Sequence, residues 1–255
     1  MRRLLPVALV FAALGAAIVV TMPSTQPQPV EPAPRASDRP TPTPPAVASN
    51  AKSSPVETPA PTYAAQVAQL YVDCVADTQT PAGQIATGGQ GRSVAVIGDS
   101  ITTQIRERLI DDPARRWVVW SRCGATVQTA LDADVPARIR AEHPDVVIVA
   151  LGTNDAGFPT PTPGSSVAFE GRAQRLLEQL AGVPCVVWVN VAEQGDPVLQ
   201  AEMDRVNVTV QASGVPVVDW DREVQSETGL LLDRVHLSRQ GQELRRQLIA
   251  DAARC

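Results

Sequence analysis

The chain is almost without lysine and poor in histidine. Lys52 is its one lysine, and His143 and His236 are its only histidines. Four cysteines, none with metal-ligand spacing, and two histidines make a poor set of ligands for zinc. Surplus positive charge is missing as well: 22 basic against 27 acidic residues leave a net charge of −5. A groove for nucleic acid needs clustered cations to neutralise phosphates, so that class of partner is excluded. At 255 residues, 44% of them hydrophobic, the chain can bury one sizeable core and is too short for two large domains.

One long hydrophobic run is present, at the N-terminus. Arg2 and Arg3 precede an unbroken apolar stretch over residues 4–22, close to the ~20 helical residues that cross a bilayer. The leading arginines stay in the cytoplasm, which sends the rest of the chain outside. The end of the stretch offers no good small-residue cleavage site, which favours a membrane anchor (residues 1–22) over a cleaved signal peptide and ordinary secretion. Residues 23–61 are Pro, Thr, Ser and Ala with few large apolar side chains. Such a segment cannot offset its ordering entropy by burial and reads as a disordered spacer lifting the domain off the membrane. In an exported chain, Cys74, Cys123, Cys185 and Cys255 are expected to form two disulfides, with three possible connectivities.

Beyond the spacer, residues 62–90 read as a helix (63–75) and connector packed on a core, and 91–255 as the main domain. Five short runs, 93–97, 117–121, 146–151, 185–190 and 215–219, are mostly rich in consecutive valine or isoleucine, as strands buried on both faces are. Helical patterns separate or follow them at 102–110, 135–142 with Pro136 in the first turn, 167–180, 197–211 and 239–253 with Ser238 as N-cap. This alternation predicts an α/β fold, a parallel five-stranded sheet covered on both sides by helices with right-handed crossovers. Ligands of such sheets bind beyond the carboxyl ends of the strands. Ser100 follows the first strand, Cys123-Gly124 the second, Gly152-Thr153-Asn154-Asp155 the third, and Asp233 and His236 come after the fifth, so all are expected at one edge.

The same polarity constrains the cysteines. Cys123 lies past the carboxyl end of its strand and Cys185 opens another at the opposite edge, and a six-residue strand spans roughly 20 Å, too far for a bridge. The last helix runs back from the site, so the expected pairs are Cys185–Cys255 and Cys74–Cys123.

A serine at a strand-to-helix turn with a histidine and an acid within reach becomes a nucleophile toward an ester, because an unassisted hydroxyl needs a neighbouring base. Gly98-Asp99-Ser100-Ile101, the glycine in Ser121-Arg122-Cys123-Gly124-Ala125-Thr126, Gly152-Thr153-Asn154-Asp155 and Asp233-Arg234-Val235-His236-Leu237 resemble the ordered motifs of the SGNH (GDSL-type) esterases, with Ile101 where the family name has leucine. The resemblance spans about residues 93–254. It implies a flavodoxin-like strand order and no metal or organic cofactor. It further implies Ser100 as nucleophile, His236 as general base and then acid, and Asp233 as the group orienting the imidazole. An oxyanion hole is implied from the backbone N–H of Ser100, the N–H of Gly124 and the side-chain amide of Asn154.

Competing readings narrow the set. Asp99 and Asp155 are expected to brace their turns, and His143 lies at the wrong edge. Gly88-Gly89-Gln90-Gly91 precedes its strand, whereas a dinucleotide fingerprint follows one. Asn207-Val208-Thr209 spells a glycosylation sequon on a predicted helix and carries no weight. The loop 156–166 is a candidate wall of an acyl or sugar pocket. The expected function is an extracytoplasmic serine esterase, membrane-anchored or secreted, removing acyl groups, O-acetyl above all, from an envelope glycan or a related ester. The alternatives are an O-acyltransferase using the same triad and a catalytically silent glycan-binding module.

Overall fold

The computed structural model describes residues 62–78 and 83–255; the apolar stretch 4–22 and the proline-rich stretch 23–61 lie outside the described residues. In chain order the elements are α1 (Tyr63–Thr78), β1 (Gln84–Gly88), β2 (Ser93–Gly98), α2 (Ser100–Thr103), α3 (Arg106–Ile110), β3 (Arg116–Ser121), α4 (Val127–Asp132) and α5 (Val135–Arg140). They continue with β4 (Val146–Ala150), α6 (Phe169–Gln179), β5 (Cys185–Val189), α7 (Pro197–Ala212), β6 (Val217–Val218), α8 (Trp220–Ser226) and α9 (Arg239–Ala252).

The sheet runs β1-β3-β2-β4-β5-β6. All pairings are parallel except β1 with β3. Successive side chains of a strand point to opposite faces, and here both faces are covered. Ala95, Ile97, Val147 and Val149 share one core with Ile139 of α5, Leu176 of α6 and Met203 and Val206 of α7. Val94, Val96, Val146 and Ile148 share the other with Ile105, Leu109 of α3, Trp220 of α8 and Ile249 of α9. The result is the expected three-layer α/β/α architecture. Each large side chain removed from water contributes about 1.5–3 kcal/mol, and β2 and β4 have no residue left outside.

The sheet has six strands where five were expected. β1, within the stretch read as a connector, adds an antiparallel edge; Ile85 is its one large apolar residue, so it lacks the signature of the buried strands. β6 is shorter than residues 215–219, because Pro216 has no N–H for the ladder and Asp219 already caps α8 through Arg222 N. The helix expected over 102–110 is two pieces, α2 and α3, interrupted at Gln104 and Ile105. Cys74 is bonded to Cys123 with Cα atoms 5.3 Å apart, and Cys185 to Cys255 at 6.2 Å. The first fastens α1 beside the loop after β3.

Glu202 of α7 holds the loop 156–166. It is buried and accepts from Gly164 N (2.8 Å), Ser166 N (3.0 Å), Ser166 Oγ (2.7 Å) and the Arg205 guanidinium. Burial raises a carboxyl, but these donors outweigh it and bring Glu202 from 4.5 down to about 2. A depressed carboxyl stabilises the fold above its unfolded value and loses that contribution as pH falls toward the folded one.

Two outcomes follow from the packing. Ile148→Ala, in the middle of the doubly covered sheet, loses about 2–5 kcal/mol in chemical denaturation. In thermal scans at decreasing pH, the stability that Glu202 adds drains away between 4.5 and about 2. Glu202→Gln removes that part of the acid dependence.

Candidate active site

β2 delivers the chain to Gly98, and Asp99 turns it into α2 with an extended backbone (φ −109°, ψ −152°). The Asp99 Oδ1 accepts from Ile101 N at 3.0 Å. A Cβ on Gly98 would lie 1.9 Å from Thr102 Oγ1, so the turn closes this tightly only over glycine. Ser100 therefore begins α2 at the carboxyl edge of the sheet, 7% exposed.

The loop between α8 and α9 folds back on itself, through a Leu231–Leu237 bridge and the bonds Leu232 N to His236 O (2.7 Å) and Ser238 N to Leu230 O (2.9 Å). It presents Asp233 and His236 side by side. Ser100 Oγ is 3.0 Å from His236 Nε2, and His236 Nδ1 is 2.8 Å from Asp233 Oδ2. Asp233 Oδ1 also accepts the amides of Val235 and His236, each at 2.8 Å. Burial alone would raise this carboxyl, yet the His236 ring and the two backbone donors hold it well below the usual range. An anionic Asp233 fixes the proton on Nδ1 and leaves Nε2 as an acceptor for the serine hydroxyl.

Gln104, given no role in the sequence reading, clasps the two segments. Its Nε2 donates to Leu237 O at 3.1 Å and its Oε1 accepts from Leu237 N at 2.9 Å. The histidine loop is thereby tied to the residue that caps the end of α2; the helical pattern runs on through this position, so the sequence carries no trace of the tie.

The loops after β3 and β4 complete the edge. Gly124 is exposed with φ +73°, and an added Cβ would meet nothing within 4 Å. Glycine is required there for its backbone conformation, not for space. Asn154 Nδ2 donates to Ala125 O at 2.9 Å and, more loosely, to Asp99 Oδ2 at 3.3 Å. Asp155 does more than brace its own turn: its Oδ2 accepts from Val127 N at 2.9 Å and its Oδ1 from Arg172 at 2.9 Å. Burial raises its carboxyl against both donors. Asp155 thus locks the Gly124 loop to the Asn154 loop. His143 precedes β4 at the opposite edge, as expected.

Phe158, in the loop 156–166, stands edge-on to the His236 ring with centroids 5.4 Å apart. Arg234 lies over the other ring at 5.7 Å, pairs with Asp196 and donates to Pro159 O at 3.2 Å. That loop borders the site. Among the described residues no three metal-ligating side chains converge.

Comparison with known proteins bears on the family and the fold. Residues 87–244 match the sequence profile of the GDSL-like lipase/acylhydrolase family. No curated protein matches the chain. Among solved structures it is similar to Axe2, an acetylxylan esterase from Geobacillus stearothermophilus, at 21% identity and a TM-score of 0.50, over 65% of this chain and 95% of that one. It is also similar to a protein of Slackia heliotrinireducens assigned to the SGNH hydrolases, at 16% identity and a TM-score of 0.53, over 64% and 99% of the two chains. At these identities the structures speak to fold.

If Asp155 aligns the two loops, Asp155→Ala leaves a buried N–H without an acceptor and costs about 1–3 kcal/mol in denaturation. Steady-state kinetics on an ester are expected to show the loss in kcat more than in KM.

Proposed function

The chain belongs to the GDSL-like lipase/acylhydrolase family and is a serine hydrolase acting on ester bonds, and from that premise we propose that it is an extracytoplasmic esterase removing O-acyl groups from a cell-envelope glycan. The observation that carries the reading is the run of short contacts from Ser100 Oγ through the His236 ring to Asp233, 3.0 and 2.8 Å long.

In the first half-reaction His236 Nε2 takes the Ser100 proton as Oγ bonds to the acyl carbon, and the carbonyl π electrons move onto oxygen. The N–H groups of Ser100 and Gly124 and the Asn154 amide receive that oxyanion. When the tetrahedral species collapses, the ester C–O bond breaks and the imidazolium returns its proton to the departing alcohol. Water then repeats the sequence on the acyl-Ser100, with His236 again as base, and releases the carboxylic acid. Asp233 stabilises the imidazolium in both halves and keeps the ring in one tautomer. Its lowered pKa suits it to remain anionic throughout.

The cellular side of the proposal rests on other features. Two disulfides are typical of oxidising compartments. The apolar stretch 4–22 is the candidate membrane attachment; among the described residues no helix is long and apolar enough to cross a bilayer. An O-acetylated glycan is brought forward by the likeness to Axe2, named as an acetylxylan esterase.

The test is hydrolysis of p-nitrophenyl acetate and release of acetate from acetylated glycans by the intact protein. Ser100→Ala and His236→Ala are each expected to lower kcat by at least about 10³-fold with an unchanged circular dichroism spectrum. Wild-type rates in either folded variant contradict the mechanism, and activity on the nitrophenyl ester alone contradicts the glycan.

A further inference from the structure

The amide of Gly124 lies in the middle of a tight turn. Ala125 N donates to Arg122 O at 3.0 Å, which places Cys123 and Gly124 at its two central positions. Of these only Gly124 has a positive φ, +73°, the pattern of a type II turn. Type I and type II turns share their ends and differ by a half-rotation of the peptide between the central residues. That peptide carries the Gly124 N–H. Glycine makes the type II form possible without enforcing it, since it takes either sign of φ at little cost.

Both shoulders of the turn are pinned. Arg122 N donates to Gly98 O at 3.2 Å, and Ala125 O accepts from the Asn154 amide at 2.9 Å. The peptide between them lacks such a hold among the described residues. Gly124 is exposed, a Cβ added there would meet nothing within 4 Å, and its N–H has no acceptor among those residues. A flip would leave every bond at the shoulders in place and turn the N–H the other way. What grips this stretch is the side chain of Cys123, bonded to Cys74.

Cys74 belongs to α1, which lies beside α2 and before residue 87, where the family match begins. Toward the other end of α1, Gln66 Oε1 accepts from Arg239 N at 3.2 Å, three residues after His236. The helix advances about 12 Å between Gln66 and Cys74. It is thus a strap from the histidine loop to the Gly124 turn. Its packing is slight: none of its described side chains is fully buried, and Val72 and Val75 are exposed. An open cleft of about 460 Å³ lies between α1 and Arg108 of α3 and Gln242 of α9. The covalent bond, more than apolar contact, fastens the strap to the turn.

We infer that the Cys74–Cys123 disulfide is a positioning element for the reaction, holding the Cys123–Gly124 peptide in the orientation that offers its N–H to the oxyanion. This rests on the reading of Gly124 as an oxyanion donor. Without the bond the central peptide samples both orientations, and the donor is absent for part of the time. The loss falls on the transition state, where the oxyanion exists, and not on the bound ester.

The test compares two variants of the intact protein on a nitrophenyl ester, Cys74→Ala/Cys123→Ala and Cys185→Ala/Cys255→Ala. The two bonds have sequence separations of 49 and 70, so chain entropy predicts similar losses of melting temperature. Only the first pair is expected to lower kcat, by about 10–100-fold, no more than complete loss of one oxyanion donor costs. KM stays near wild type in both. Wild-type kcat in the first pair, an equal fall in both pairs, or a change confined to KM overturns the inference. Ser100→Ala measured alongside separates the two levels. If it abolishes turnover while the first pair keeps its kcat, only this inference fails; if it does not, the esterase reading fails first. Should the first pair not fold, the wild-type protein is treated with dithiothreitol under conditions that leave its circular dichroism unchanged. Each reagent molecule closes to its cyclic disulfide as one protein disulfide becomes two thiols. Turnover is expected to fall in step with the appearance of the Cys123 thiol, mapped by alkylation. Full activity with Cys123 reduced overturns the inference.

Discussion

Two side chains 136 positions apart in sequence meet at 3.0 Å because β3, β2, β4, β5 and β6 all run the same way. Parallel strands deliver their carboxyl ends to one edge, and the chain must leave each strand there before crossing back. The segments after β2, β3 and β4 and the loop before α9 therefore gather on one rim. The rim is held by cross-links between those segments. Gln104 binds both backbone groups of Leu237, Asp155 binds the first amide of α4, and Asn154 spans Ala125 and Asp99. Each is a local polar bond between loops that the sheet has already brought together.

Burial and donors shift the same kind of side chain in opposite directions within this small region. Asp233, at an exposed position, gathers the His236 ring and two backbone amides, so its carboxyl is held low. Asp99 is more deeply buried and has one backbone donor and a loose amide contact, so burial wins and its carboxyl rises. Asp155 is also raised, though Arg172 and Val127 N oppose it. The three aspartates differ in how many donors face each one.

Much of this was legible in the residues. Runs such as Val146-Val147-Ile148-Val149 have no polar face, which is how a strand covered on both sides must read. With strand polarity assumed, the edge occupied by Ser100, Gly124, Asn154, Asp233 and His236 and the cysteine pairs Cys74–Cys123 and Cys185–Cys255 follow from topology. The parts that stayed hidden share one cause: tertiary partners decide them. Gln84–Gly88 becomes a strand because β3 offers a free edge. Gln104 sits where the helical pattern runs on, and its side chain is paired with both backbone groups of Leu237, far along the chain. Arg245 looks like one more arginine on a polar helix until Gly241 and Ile249 are seen to face the core.

If His236 makes Ser100 reactive, covalent trapping reads that reactivity without a substrate. The protein is treated with a fluorophosphonate probe, digested, and the site and rate of labelling are read by mass spectrometry. One adduct is expected, on the peptide carrying Ser100, formed at least about 10²-fold more slowly in His236→Ala. An adduct on another residue, or labelling of Ser100 at the same rate without the imidazole, would contradict it.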